Sequence, residues 1–354
     1  MKKPIYILLS IAAVLACTKT EVAYDDALTG EITISPVAGN ITKAAVTDGV
    51  YPEQNHMALF AYHAPDVTAT TTGALDYAKF TEGYLYNTEY YYTGTDNSTK
   101  IWSGLKSSYY WPITGSLVFA GYSLPAPADG QTASTPIGTV TYDLSTDKME
   151  IKGYTQSVNT AEIFDLLYFG RTAGSYNNRR EGNPVQLEFK HALSWITIKV
   201  KGGDGALIDG REWSVTNIYL DDVQITGDFT YLGTSASDQK VSWTPGSVKE
   251  DMVIFNSTPV QQLTNAFLEI EDNENGTLVI PQVAKKLYVT ITYKSPANDD
   301  ITETIDIDLA DHTANWEAGK RYTYELTFDP KEIRVAPIVE TWPDPIVSPV
   351  NVEN

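Results

Sequence analysis

Sulfur and imidazole are scarce in this chain, with one cysteine, four methionines and four histidines among 354 residues. A lone thiol cannot close an internal disulfide, so the folded part has to be stabilised by core burial. His56, His63, His191 and His312 show neither the i, i+4 pairing nor the second cluster that a zinc site needs, and no metal is expected. His191 falls on the apolar face of an alternating run and reads as a hydrogen-bonded core residue. Also missing are a G-x-S-x-G elbow, a glycine loop that cradles phosphate and a cysteine nucleophile. Carboxylate pairs such as Asp221 and Asp222 are plentiful, but a sequence does not show which of them converge. The chain is read as a non-enzyme without a cofactor. Basic residues are short as well: 25 Lys and Arg stand against 45 Asp and Glu, a net charge of -20. Nucleic acid and anionic lipid both require clustered cations, so neither is expected as a partner, and the acid excess reads as solubility.

Long apolar runs are confined to the N-terminus. Lys2 and Lys3 precede an apolar stretch from Ile5 to Ala16, and Cys17 follows at once. This is the grammar of a secretory signal occupying residues 1–16. As a helix the stretch would span roughly 18 Å, short of the roughly 30 Å of a bilayer core, so it is not read as a membrane span. Its position resembles that of a bacterial lipoprotein cysteine, which makes Cys17 the expected site of lipid attachment.

What the chain has in abundance is tyrosine, 23 residues, together with Thr, Val and Ile, a composition that favours strands. Period-two alternation recurs throughout: Tyr322, Tyr324, Leu326 and Phe328 share one face, and Ile32 and Ile34 alternate with Thr33 and Ser35. Turn-rich stretches such as "PAPADG" and "SPANDD" separate the runs. No long amphipathic helix is evident, although "AEIFDLLYFG" could make a turn or two. In "VQLEFKHALSWITIKV" the apolar set slips by one place near Trp195, which implies a bulge or a strand buried on both faces beyond it. The polar stretch just before it places a boundary near residue 180. The expected fold is all-β: two tandem antiparallel sandwiches over residues 44–180 and 181–331, with no internal repeat evident.

Two local motifs raise binding chemistry. "EDNENG", Glu271 to Gly276, resembles the opening of a calcium loop, but Gln282 stands where the closing glutamate belongs; the flanking "FLEI" and "TLVI" read as a hairpin. "YLYNTEYYY" offers Tyr84, Tyr86, Tyr90, Tyr91 and Tyr92 as a stacking surface for sugar, against the plainer reading of a Tyr-rich strand.

The two ends of the chain are the most informative. Residues 17–43 hold a short apolar strand followed by a small-residue loop whose basic residue is Lys43; between Cys17 and Lys79 the other is Lys19. A protease of tryptic specificity would cut between Lys43 and Ala44, leaving the lipid and the first strand on a removable piece. Residues 332–354 carry apolar runs broken by Pro337, Pro343, Pro345 and Pro349, which suit an edge strand or an extended arm.

"TKAAV", "SSYYWPITGSLVFAGYSL", "VQLEFKHALSWITIKV", "WEAGKRYTYELTF" and "IRVAPIVETW", in this order, resemble the fimbrillin family, the Mfa1/FimA-like pilins of Bacteroidales type V pili. The resemblance implies two transthyretin-like sandwiches, export as an outer-membrane lipoprotein, removal of the first strand by a protease, and filling of the vacated groove by a neighbouring subunit's C-terminal strand. Ile333, Val335, Ile338, Val339 and Trp342 are the expected donor residues. The partners implied are other pilus subunits, a processing protease, the outer membrane through the lipid anchor, and a host glycan or protein. The implied role is a structural subunit of a cell-surface fimbria; a tip or accessory adhesin, or an anchor that keeps its lipid, is the alternative.

Overall fold

The computed structural model describes residues 30–38, 51–67, 75–93, 102–172, 184–203, 213–233, 239–256, 261–270, 277–294, 297, 299–329 and 332–341. They form 21 strands, with no α-helix among them. Seven strands close a barrel: β1 (Ile34–Ala38), β2 (His56–Ala64), β3 (Glu82–Tyr92), β4 (Trp102–Gly104), β5 (Ser116–Leu124), β8 (Leu167–Phe169) and β9 (Val185–His191), in the order β1-β4-β3-β2-β5-β8-β9. A second layer joins β6 (Thr139–Asp143), β7 (Lys148–Thr155), β12 (Thr226–Gly233) and β13 (Gln239–Pro245) in the order β13-β12-β7-β6.

The remaining strands form two sheets around a separate core. One contains β10 (Ser194–Gly202), β16 (Leu268–Glu269), β17 (Thr277–Val279), β20 (Lys320–Asp329) and β21 (Glu332–Thr341). The other contains β11 (Ser214–Gln224), β14 (Lys249–Phe255), β15 (Gln261–Gln262), β18 (Lys286–Lys294) and β19 (Asp300–Asp308). Pairing is antiparallel apart from β1 on β9 and β10 on β20.

Alternation explains the layers. On β2, Met57, Leu59 and Ala61 point into the barrel, whereas Ala58 and Phe60 point out against Met149, Ile151, Phe229 and Tyr231 of the second layer. Both faces are buried, which is why "HMALFAYHA" is apolar almost without interruption. Asp147 pins the layers together. Its side chain accepts from the Tyr142 hydroxyl (2.7 Å), the Tyr231 hydroxyl (3.0 Å) and the Arg171 amide (2.8 Å), while the Arg171 guanidinium lies 3.8 Å from the Tyr77 ring centroid.

The sheets do not follow a division at residue 180. β9 lies beyond that point yet completes the barrel, and the β12–β13 hairpin crosses back to pair with β7. The cause is burial: Val185, Leu187 and Phe189 fill the barrel, and Phe229 and Tyr231 cover its outer face. The slip near Trp195 is a change of sheet. β9 ends at His191, β10 begins at Ser194, and from there Trp195 packs on the barrel side while Ile196, Ile198 and Val200 enter the C-terminal core. "FLEI" and "TLVI" do not form a hairpin with each other: β16 and β17 both pair with β10, and there Thr277, Leu278 and Val279 are buried. The loop itself, residues 271–276, lies outside the described residues. "AEIFDLLYFG" gives only a 3-10 turn at Thr160–Glu162 before becoming β8, since Leu167, Tyr168 and Phe169 are all buried.

Candidate assembly site

The N-terminal strand is built into the barrel. The Ile32 amide donates to the Tyr109 carbonyl (2.6 Å), the Trp111 amide to the Gly30 carbonyl (3.1 Å) and the Val185 amide to the Thr33 carbonyl (2.9 Å). β1 then runs parallel to β9, with Ile34 opposite Val185 and Pro36 opposite Leu187, and Ile34 also faces Trp102 of β4. Ile32 and Ile34 are both 0% exposed, in a core with Tyr51, Trp102, Trp111 and Phe189. The rings around them are locked together: Tyr51 meets Trp102 edge-on at 5.8 Å and Phe189 at 4.9 Å. In the closed order β1 stands between β4 and β9, so its departure would leave those strands as facing edges of an open sheet. Two fully buried isoleucines correspond to about 3–6 kcal/mol of gross burial.

The C-terminal strand sits quite differently. β21 pairs antiparallel with β20 along its whole length, from Lys320 opposite Thr341 to Asp329 opposite Glu332. It is the last strand of its sheet. Ile333 and Val335 lie partly buried against the C-terminal core, yet Ile338 is 41% and Val339 52% exposed. Register puts Ile333, Val335, Pro337 and Val339 opposite Phe328, Leu326, Tyr324 and Tyr322, so these share a face and Ile338 belongs to the other one. The expected donor set thus mixes two faces, because it took apolar residues without regard to their alternation. Trp342, the bond between Lys43 and Ala44, and Cys17 all lie outside the described residues.

The five tyrosines do not form one stacking surface. Tyr90 points into the barrel and is 0% exposed, and burial holds its hydroxyl pKa far above the ordinary range. Tyr86 is 74% exposed and meets Phe60 edge-on at 5.6 Å. Tyr84 donates to the Tyr110 carbonyl, and both Tyr84 and Tyr92 pack on the barrel core. Tyr91 is half-buried, with its ring centroid 6.0 Å from that of His56. The division arises from two register shifts in the β2–β3 pairing, where Asn87 takes a positive φ of 49°, and these swap the inward face along β3.

Three histidines are each held by a carboxylate. His56 Nδ1 lies 2.6 Å from Glu89 and His63 Nδ1 lies 3.0 Å from Glu82. His191, buried as expected, has its Nδ1 2.9 Å from Asp165. His312 is exposed at the end of the 3-10 turn Leu309–Asp311. Among the described residues no three His, Cys, Asp or Glu side chains converge as metal ligands. Asp222 is taken by Lys249 at 2.9 Å, and the neighbouring Asp221 carboxyl is raised in pKa, first by desolvation and then by Asp251.

Sequence reasoning passed over Pro36, which is buried, and β4, and it read the run that forms β9 as a strand without placing it beside β1. Trp102 gave no signal, since β4 is only three residues long and its importance comes from the strands it joins. Pro36 carried one: a proline in an otherwise alternating run marks a strand that cannot be a fully laddered central one.

The all-β fold is shared with one solved structure, and two further fimbrial structures align over most of their length at lower scores. A fimbrial protein from Bacteroides vulgatus is 18% identical, with 88% of this chain and 99% of that chain covered at a TM-score of 0.50. The tip fimbrial protein Mfa3 from Porphyromonas gingivalis, solved with a C-terminal truncation, is 9% identical over 89% of this chain and 100% of that one, at a TM-score of 0.40. A fimbrial assembly protein from Parabacteroides distasonis is 13% identical over 88% and 96%, at 0.36. No curated protein matches the chain. The family is nevertheless clear: residues 42–342 match the fimbrillin-like family, and this chain belongs to it.

Proposed function

We propose that this protein is a structural subunit of a cell-surface fimbria, polymerised by strand exchange. It is exported as a lipoprotein through Cys17 and held at the outer membrane until the bond between Lys43 and Ala44 is cut. The cut frees β1, and the C-terminal segment of another subunit fills the space. The observation that carries this reading is the complete enclosure of Ile32 and Ile34 in the barrel, on a strand that precedes Lys43 in the chain. A strand so placed can be separated from the rest by one cut, yet its loss exposes a preformed apolar groove. Head-to-tail filling of such grooves is a heterologous contact that does not close, which yields a fibre. Family membership supports the same role.

The test is N-terminal sequencing of the protein recovered from surface fibres. The expected first residue is Ala44. Fibres composed of protein that begins at Cys17 would overturn the processing step and the exchange that depends on it.

A further inference from the structure

We infer that the cleft between the second layer and the C-terminal sheets binds a short uncharged saccharide, which stacks on Trp243 and is hydrogen-bonded by Lys190, Asn315 and Glu317. The cleft has a volume of about 740 Å³, within the roughly 300–1,000 Å³ of small-molecule sites. One wall is β13, whose Val241, Trp243 and Pro245 share a face by alternation. The other wall is formed by residues 281–283 and 315–318, and Lys190, on the outer face of β9, completes the lining.

Both walls are held in place before any ligand arrives. The Trp243 indole nitrogen, the ring's one polar atom, donates to the Ala192 carbonyl (2.7 Å), and the ring meets Tyr154 at 5.3 Å and Phe229 at 5.4 Å. What it offers the cleft is therefore carbon surface in a fixed orientation, which suits the C–H face of a pyranose. Across from it the Glu317 amide donates to the Tyr322 hydroxyl (2.8 Å), and the Glu317 carbonyl accepts from the Ser194 hydroxyl (2.7 Å). The Trp316 amide donates to the Gln282 carbonyl (2.8 Å), while the Gln282 side chain accepts from the Gln224 amide (2.9 Å) and donates to the Gln224 carbonyl (3.1 Å). Val283 and Asn315 are joined by a bridge. With their backbone pinned, the exposed side chains of Asn315 and Glu317 stand at set points on the cleft.

Charge selects the ligand. On a chain of net charge -20, the charged residues lining the cleft are Lys190 and Glu317, whose charges cancel. An anion would meet Glu317, and a cation would meet Lys190. An apolar ligand would strip water from both and return no bond. A sugar meets each demand: its hydroxyls donate to the carboxylate, accept from the ammonium and do both with the amide, while its C–H face covers the indole. One fixed indole supplies the stacking surface that the five tyrosines of β3 do not form.

The full chain is produced with fluorotryptophan and followed by fluorine NMR, the Trp243 resonance being assigned from the Trp243→Phe variant. Lactose, maltose, cellobiose and diacetylchitobiose are titrated through the millimolar range. Sialyllactose serves as the anionic probe, and the peptide PDPIVSPV, the sequence of residues 343–350, as a proline-rich apolar one. A saturable shift of the Trp243 resonance is expected with at least one neutral disaccharide. Val283→Arg, which fills the cleft from a side chain 57% exposed, and Glu317→Ala, which removes an exposed carboxylate, should each weaken binding about tenfold or more with the urea midpoint unchanged. No shift with any of the four disaccharides, a shift undiminished in either variant, or a shift with sialyllactose or the peptide alone overturns the assignment. None of these results bears on strand exchange, which N-terminal sequencing tests separately.

Discussion

Truncating Ile34 to alanine is the sharpest probe of the groove. The side chain has no exposure, and it shares its core with the rings of Tyr51, Trp102 and Phe189, of which Tyr51 contacts both others, so they are poorly placed to close over a gap. Shortening a buried isoleucine costs about 2–5 kcal/mol, and rigid aromatic walls place the expected value in the upper half of that range. In urea unfolding of the intact chain, followed by tryptophan fluorescence, the midpoint should fall with the slope unchanged. After a cut at Lys43 the same loss appears as weaker retention of the N-terminal piece, about 400- to 5,000-fold at 1.36 kcal/mol per factor of ten. Once the piece has gone, variant and wild type are the same molecule and must unfold identically. A loss below about 0.5 kcal/mol in the intact chain, the range of ordinary surface substitutions, would refute the placement of β1 in the core.

Two further outcomes follow from the packing. Asp147→Ala strands the buried hydroxyls of Tyr142 and Tyr231, and at about 1–3 kcal/mol for each unmet donor the urea-derived stability should drop by about 2–6 kcal/mol; a drop under 1 kcal/mol would show that the two layers do not depend on this carboxylate. Alkaline titration should unfold the protein from about pH 10 upward, because burial pushes Tyr122 and Tyr322 up to about 12, and Tyr90, Tyr142, Tyr154 and Tyr231 in the same direction. The unfolded chain loses these protons first, so the stabilisation is complete below the unfolded value of about 10 and declines as pH rises through the folded values. Ionisation of every tyrosine near pH 10 with circular dichroism still native would contradict it.

Strand existence was legible in the residues because alternation is local. Tyr322, Tyr324, Leu326 and Phe328 announce β20 from their own spacing, and Ile32 with Ile34 announce a strand before Lys43. The faces of β3 were not, since its register shifts depend on β2, and five tyrosines that look equivalent in sequence separate into core and surface.

The sequence by itself determined the all-β character and the position of Lys43 after the first strand, because periodicity and the scarcity of lysine are properties of neighbouring residues. Only the tertiary structure decided that β1 stands between β4 and β9, that β9 belongs to the barrel, and that the β12–β13 hairpin crosses the division at residue 180. Those are pairings between distant segments, selected by which apolar faces can be covered together, and no local pattern encodes the partner of a strand.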